Sequence, residues 1–133
     1  HWKPDNIMCL NNYAYYLSVL GEQLDKAEQM SYQTVKAEPK NATYLDTYAW
    51  VLFRQKRYAE AKVYIDQAMQ NLEVDSADGD SLSNATIYEH AGDIYWFCEE
   101  PERAQGFWQE ALKGDADNKV LTRKVKLKKY VKE

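Results

Sequence analysis

Histidine, cysteine, proline and glycine are all scarce in this chain. Its two cysteines, Cys9 and Cys98, stand far apart and fit no metal-binding or redox spacing. They read as small buried or half-buried apolar residues. Five glycines and three prolines suit a helical chain with short turns. No apolar run approaches the ~20 residues that a membrane-spanning helix needs, so no membrane insertion is expected of this segment. The opening His1–Asn6 lacks the hydrophobic stretch of a signal peptide. Neither a nucleophile signature nor a glycine-rich phosphate loop occurs. With two histidines, His1 and His90, there is no second nitrogen ligand to pair with His90 and Asp93, so no metal and no cofactor are expected.

Charge is abundant but unevenly spread. Residues 1–118 carry a net charge of −10 and residues 119–133 carry +6. A basic end can serve nucleic acid or an anionic surface, or it can be the solvated side of a terminal helix beside an acidic body. The acidic body would repel phosphate, so nucleic acid is not the expected partner.

What the chain has in quantity is helical periodicity. From Ala42 to Gln70 two amphipathic helices are predicted, with a turn at Gln55–Tyr58. Leu45, Tyr48, Ala49 and Leu52 form the first apolar stripe; Tyr58, Ala61, Tyr64, Ile65 and Ala68 form the second. Alanines at 49, 61 and 68 let the two helices approach closely. The unit recurs before and after itself. Ala14 to Ala49 is 35 residues and Ala27 to Ala61 is 34, with one extra residue in the Gly21–Leu24 turn. Ala49 to Gly92 and Ala61 to Ala104 are both 43, so a single insertion at 76–84 accounts for both steps. That acidic, turn-rich insertion is expected to be an exposed connection. Repeats are therefore expected at about 7–41, 42–75 and 85–118, within one domain covering 1–133. A last helix, 119–132, capped by Asp117 or Asn118, should cover the third repeat with Val120, Leu121, Val125, Leu127 and Val131. Its lysines should face water. Pro4-Asp5-Asn6 resembles the closing turn Pro39-Lys40-Asn41, which reads as the end of an earlier unit and makes this the C-terminal part of a longer repeat protein. Asn41-Ala42-Thr43 and Asn84-Ala85-Thr86 match the glycosylation sequon, a pattern short enough to arise by chance.

A two-helix unit with a period near 34 resembles the tetratricopeptide repeat. The residues that carry the resemblance are the small first-helix position (Ala14, Ala49, Gly92), the second-helix alanine (Ala27, Ala61, Ala104), the next small position (Thr34, Ala68, Ala111) and Pro39. Leu10, Leu45 and Tyr88 stand where that family often has Trp. The resemblance implies an all-α, right-handed superhelix (α-solenoid) of three helix-turn-helix repeats plus a capping helix. It also implies that first helices line a concave groove.

Outside the core stripes, the first helices turn Asn11, Asn12 and Tyr15, then Asp46, Trp50, Phe53 and Arg54, then Glu89, His90, Asp93, Trp96 and Phe97 toward that groove. These are the candidate ligand-binding residues. Trp50 and Trp96 are the expected anchors, while Phe53 and Phe97 could equally pack between repeats. Glu89-His90-x-x-Asp93 is the one cluster with a catalytic look; solvated groove groups are the plainer reading. Some members of the family clamp a chaperone's terminal carboxylate. Tyr15, Thr86 and His90 stand where such a clamp would want Asn or a cation, which argues against that ligand. The function expected is non-enzymatic protein or peptide binding, the partner segment carrying basic and aromatic residues. The alternatives are a regulatory segment of a larger enzyme, or nucleic-acid binding through the basic last helix.

Overall fold

The structure, a computed structural model, describes residues 4–75, 81–127 and 129, with side chains for 7–71, 85–127 and 129. Seven helices and no strand are present among the described residues: α1 (Pro4–Leu20), α2 (Leu24–Ala37), α3 (Ala42–Arg54), α4 (Tyr58–Asp75), α5 (Ser81–Phe97), α6 (Pro101–Gly114) and α7 (Lys119–Leu127). They fall into two compact units, His1–Asn71 and Leu72–Glu133.

In the first unit the helices pair as the repeat spacing requires. Ala14, Ala27, Ala49, Ala61 and Ala68 are wholly enclosed, as are Leu45, Val51, Leu52 and Ile65. Ala14, Leu17, Ala27 and Val51 form one core cluster, with Met30 packed against it. Each alanine removes the bulk that would hold two helices apart. Polar groups tie the layers together. Glu28 on α2 accepts from the Tyr48 hydroxyl of α3 at 3.2 Å and from Arg57, in the α3–α4 turn, at 2.7 Å. Tyr13 is the exception to the stripe. It is 43% exposed where its counterpart Tyr48 is 6% exposed. Helices α1 and α2 both pack on α3, and α1 has α2 and α3 as its neighbours.

All three turns inside the repeats close in the same way. The amides of Glu22, Arg57 and Glu100 bond to the carbonyls of Leu17, Leu52 and Tyr95, and the residue before each donor is left-handed. This is the Schellman arrangement, which satisfies two carbonyls at the end of the helix. Gly21 fills the left-handed position in the first turn (φ 72°), but Lys56 (φ 67°) and Glu99 (φ 66°) fill it in the other two. A side chain there costs about 1–2 kcal/mol that glycine avoids. Part of that gain is returned as glycine's extra freedom in the unfolded chain. Lys56→Gly and Glu99→Gly are therefore each expected to stabilise the protein by about 0.5–1 kcal/mol in urea titrations. A loss of stability in both would contradict this account of the turns.

The links between units of repeat are equally regular. Asn41 accepts from the Tyr44 amide at 3.1 Å and Asn118 from the Leu121 amide at 3.0 Å, each capping the helix that follows. The sequon asparagine Asn41 is thus an N-cap.

Several sequence expectations need correcting. Pro4–Asn6 do not form a closing turn; they are the first residues of α1. Proline suits the first helical position, where its missing amide costs nothing, so the same residue type fits either place. Ser81–Asn84, expected in the connection, lie in α5. Polar residues extend a helix readily once it is nucleated, since each adds a hydrogen bond at little further cost. The rest of that connection, 76–80, lies outside the described residues. Helix α7 is described as far as Leu127, and Val131 falls outside the description. Leu127 is exposed rather than packed, and Lys124 is enclosed rather than solvated. Cys9, expected to be at least half-buried, is exposed.

Candidate functional site

The candidate residues divide between the two units. In the first, Trp50 lies half-buried on α3, one turn after the buried Asp46. Its indole stacks on Phe53, with ring centroids 4.6 Å apart and planes 18° apart. Phe53 is enclosed and rests in turn on Tyr58, at 5.5 Å. Phe53 is therefore a packing residue that fixes the indole, not a groove anchor. Arg54 is also taken up internally: its Nε donates to the Ser18 carbonyl at 2.9 Å. The neighbouring helix α1 contributes Tyr15, half-buried, and Asn12, exposed. Asn11 is buried, and its Oδ1 has no hydrogen-bond partner.

In the second unit the expected groove acids have a different fate. Lys124, reaching from α7, places its ammonium 2.8 Å from Asp93 Oδ1 and 3.0 Å from Glu89 Oε2. Trp108 Nε1 donates to the same Asp93 oxygen at 3.1 Å, and the Trp108 ring lies 5.8 Å from the ammonium. Asn118 donates to Glu89 Oε1 at 3.1 Å while capping α7. Lys124 and Asp93 are each 3% exposed and His90 is 6% exposed. Burial pushes the Asp93 carboxyl up to about 6, against the pull of Lys124. Burial also opposes the charge on Lys124, but Asp93 and Glu89 together hold its pKa above the ordinary lysine value.

A carboxylate raised toward neutrality beside a histidine has the outline of an acid–base pair. Its geometry does not suit that work. Asp93 is enclosed, and its Oδ1 is already engaged by an ammonium and an indole N–H. Asp93 is a structural tie between α5, α6 and α7. Trp96, half-buried, lies 5.9 Å from Trp108. Phe97 beside it is exposed.

Lys124, Trp108 and Asn118 are thus the members of this cluster that reasoning from sequence did not place at the site. Trp108 was legible as core and Asn118 as a cap. Lys124 carried one signal: it stands three residues after Leu121, on the same side of a helix.

No protein-family model matches the sequence. A 68-residue stretch, 51% of the chain, is 32% identical to the TPR repeat-containing protein PA4667 of Pseudomonas aeruginosa. The chain spans 12% of the length of that relative. Among solved structures, the first TPR of Spaghetti (RPAP3) bound to the HSP90 peptide SRMEEVD matches 96% of this chain and 94% of its own, with a TM-score of 0.77 at 18% identity. The chain has the fold of the tetratricopeptide-repeat domains. The Arabidopsis OM64 TPR domain is similar to a comparable degree, covering 93% of this chain and 94% of its own with a TM-score of 0.76 at 18% identity. The small positions read from the TPR spacing are the ones buried between paired helices here. No helix among the described residues is long and apolar enough to cross a membrane.

Proposed function

We propose that this TPR chain is a non-enzymatic interaction module, and that the α1–α3 face of its first unit receives a peptide or protein segment. The observation that carries the reading is Trp50. Its indole is held in one orientation by Phe53 yet remains half-exposed. A fixed, partly solvated indole loses little freedom when a partner covers it, which is the condition for a binding anchor. Tyr15 comes from the corresponding position of α1, and Asn12 adds an exposed amide beside it.

The Spaghetti domain, of the same fold, holds an acidic HSP90 peptide, which supports a peptide as the ligand class. The ligand we favour for this chain differs in charge. Tyr15 occupies a place where a carboxylate clamp would want Asn or a cation, and residues 1–118 carry a net charge of −10. A segment with Lys or Arg beside an aromatic residue fits that face better.

Fluorescence anisotropy with a labelled Lys/Arg-rich peptide containing Phe and Trp tests this. Trp50→Ala should weaken binding more than tenfold, about 1.4 kcal/mol, with the melting temperature nearly unchanged. Gln67→Ala, on α4, should bind as the native chain does. Unlabelled SRMEEVD should not compete. Competition by that acidic peptide, or binding indifferent to Trp50, would sink the proposal.

A further inference from the structure

Residues 7–20 of α1 contain no charged side chain, in a protein where 29% of residues are charged. A helix face that met only water would not be built so. Among the described residues, five of the nine large apolar side chains left exposed are on this helix: Met8, Tyr13, Tyr16, Val19 and Leu20. With the exposed Cys9 they fall on one side of α1, opposite the buried Ile7, Ala14 and Ser18. A contiguous apolar patch of this kind marks an interaction site.

The next repeat shows what covers such a face. A step of 35 residues carries Cys9, Asn12, Tyr13 and Tyr16 onto Tyr44, Thr47, Tyr48 and Val51 of α3, and all four of those are buried. The helix pair ahead of α3 buries them. Val51 enters the core cluster of Ala14, Leu17 and Ala27. Tyr48 lies against α2, where Glu28 accepts from its hydroxyl at 3.2 Å and the Tyr32 ring is 5.9 Å away. Arg57 completes that contact by pairing with Glu28. Tyr13 has a cation beside it as well: the Lys26 ammonium lies 5.5 Å from its ring. We propose that the outer face of α1 is the seat of a further helix pair of the same kind, preceding α1 in the polypeptide. The second helix of that pair sets an acidic residue against the Tyr13 hydroxyl and Lys26, and an aromatic residue four positions on, the spacing of Glu28 and Tyr32. A second copy of this chain is a poorer occupant. Its own α1 brings no carboxylate from residues 7–20 to Lys26, and its α5–α6 pair is already covered by α7, with Leu121 and Lys124 enclosed. The seat uses neither Trp50 nor Phe53, so it does not depend on the peptide face proposed above.

The probe is an extended chain in which residues 4–38 are repeated ahead of Pro4, the added copy carrying Cys9→Ser. Glu38 then joins Pro4 as it joins Pro39 in the native chain. The original Cys9 is exposed and Cys98 half-buried, so Cys9 reports on the face and Cys98 serves as the internal reference. A chromogenic aromatic disulfide should modify Cys9 at least tenfold more slowly in the extended chain than in the native one, with the Cys98 rate unchanged. Tyr16→Lys in the original copy should restore the Cys9 rate to within threefold of native, since the counterpart of Tyr16 is the enclosed Val51. The same change in the native chain should leave both rates and the melting temperature as they are, because Tyr16 is 58% exposed. A seated repeat also adds stability through its interface. An extended chain that melts below the native one, or an unchanged Cys9 rate, would therefore overturn the proposal. So would a dimer of the native chain that Tyr16→Lys dissolves, since the face would then belong to a second copy.

Discussion

Lys124→Met should destabilise the protein by about 3–5 kcal/mol at pH 7, the usual loss when one partner of a buried ion pair is removed. The methionine fits the volume of the lysine stem, so the loss reports charge rather than packing. Two carboxylates, Glu89 and Asp93, would lose the ammonium that sits 3.0 and 2.8 Å from them. The defect should depend on pH, and its sign follows from Asp93. Burial holds that carboxyl at about 6 in the folded protein, above the value near ~4 of an unfolded aspartate. Its contribution to stability is therefore fully present below pH ~4 and lost as pH rises through about 6. Removing Lys124 lifts the folded value further, because the charge that favoured ionisation is gone. Relative to the native chain, Lys124→Met should thus be least destabilised near pH 4 and most near pH 7. Guanidinium titrations at the two pH values measure the difference. A deficit that is constant with pH, or smaller than 1 kcal/mol at pH 7, would mean that Lys124 does not neutralise these acids.

The repeat ruler made most of the fold legible, for a reason specific to particular residues. Ala14, Ala49 and Ala61 are small because two helices touch there, and that requirement acts at fixed intervals along the chain. Asn41 and Asn118 are caps because the chain turns there, and the side chain needed is set by a local amide. Such constraints are local or periodic, so a sequence displays them. The fate of Glu89, Asp93 and Lys124 is of another kind. Each alone is a polar residue on an amphipathic helix, and each alone belongs in water. Asp93 and Lys124 are enclosed, and Glu89 half-buried, because α7 brings a cation to two acids 31 and 35 residues away. No pattern within one helix encodes that meeting. For the same reason Glu89 and Asp93, two of the acids expected to line the groove, are already occupied by this chain's own lysine, and Phe53, for which groove and packing were equally open, is a support for Trp50.

Gly92→Ala should cost about 2–4 kcal/mol, although alanine is the better helix former by about 1 kcal/mol. A β-carbon at Gly92 would lie 2.3 Å from both Cδ1 and Nε1 of Trp108. Those are ring atoms of a wholly enclosed side chain, not the free end of a flexible one, so the indole as a whole must move. Overpacking of this kind costs about 1–3 kcal/mol. Moving the indole also strains its hydrogen bond to Asp93, and an unsatisfied buried group adds about 1–3 kcal/mol. The two penalties exceed the gain in helix propensity. The repeat itself supplies the rescue. At the corresponding positions the first unit carries Ala14 with Ser31 and Ala49 with Ile65, whereas the third repeat pairs its smallest residue, Gly92, with its largest, Trp108. From the second repeat to the third, the first-helix residue loses its methyl where the second-helix residue grows from Ile65 to Trp108. Trp108→Ile alone should leave a cavity and cost about 3–5 kcal/mol. Combined with Gly92→Ala it restores the Ala–Ile pairing of the second repeat. The double variant should then be more stable than the sum of the single changes by at least ~1 kcal/mol, within the range seen for residues in contact. Urea unfolding of the four proteins gives that coupling directly. Additivity to within ~0.3 kcal/mol would show that the two side chains do not share the space between α5 and α6, and that the indole is placed by Asp93 and Lys124 alone.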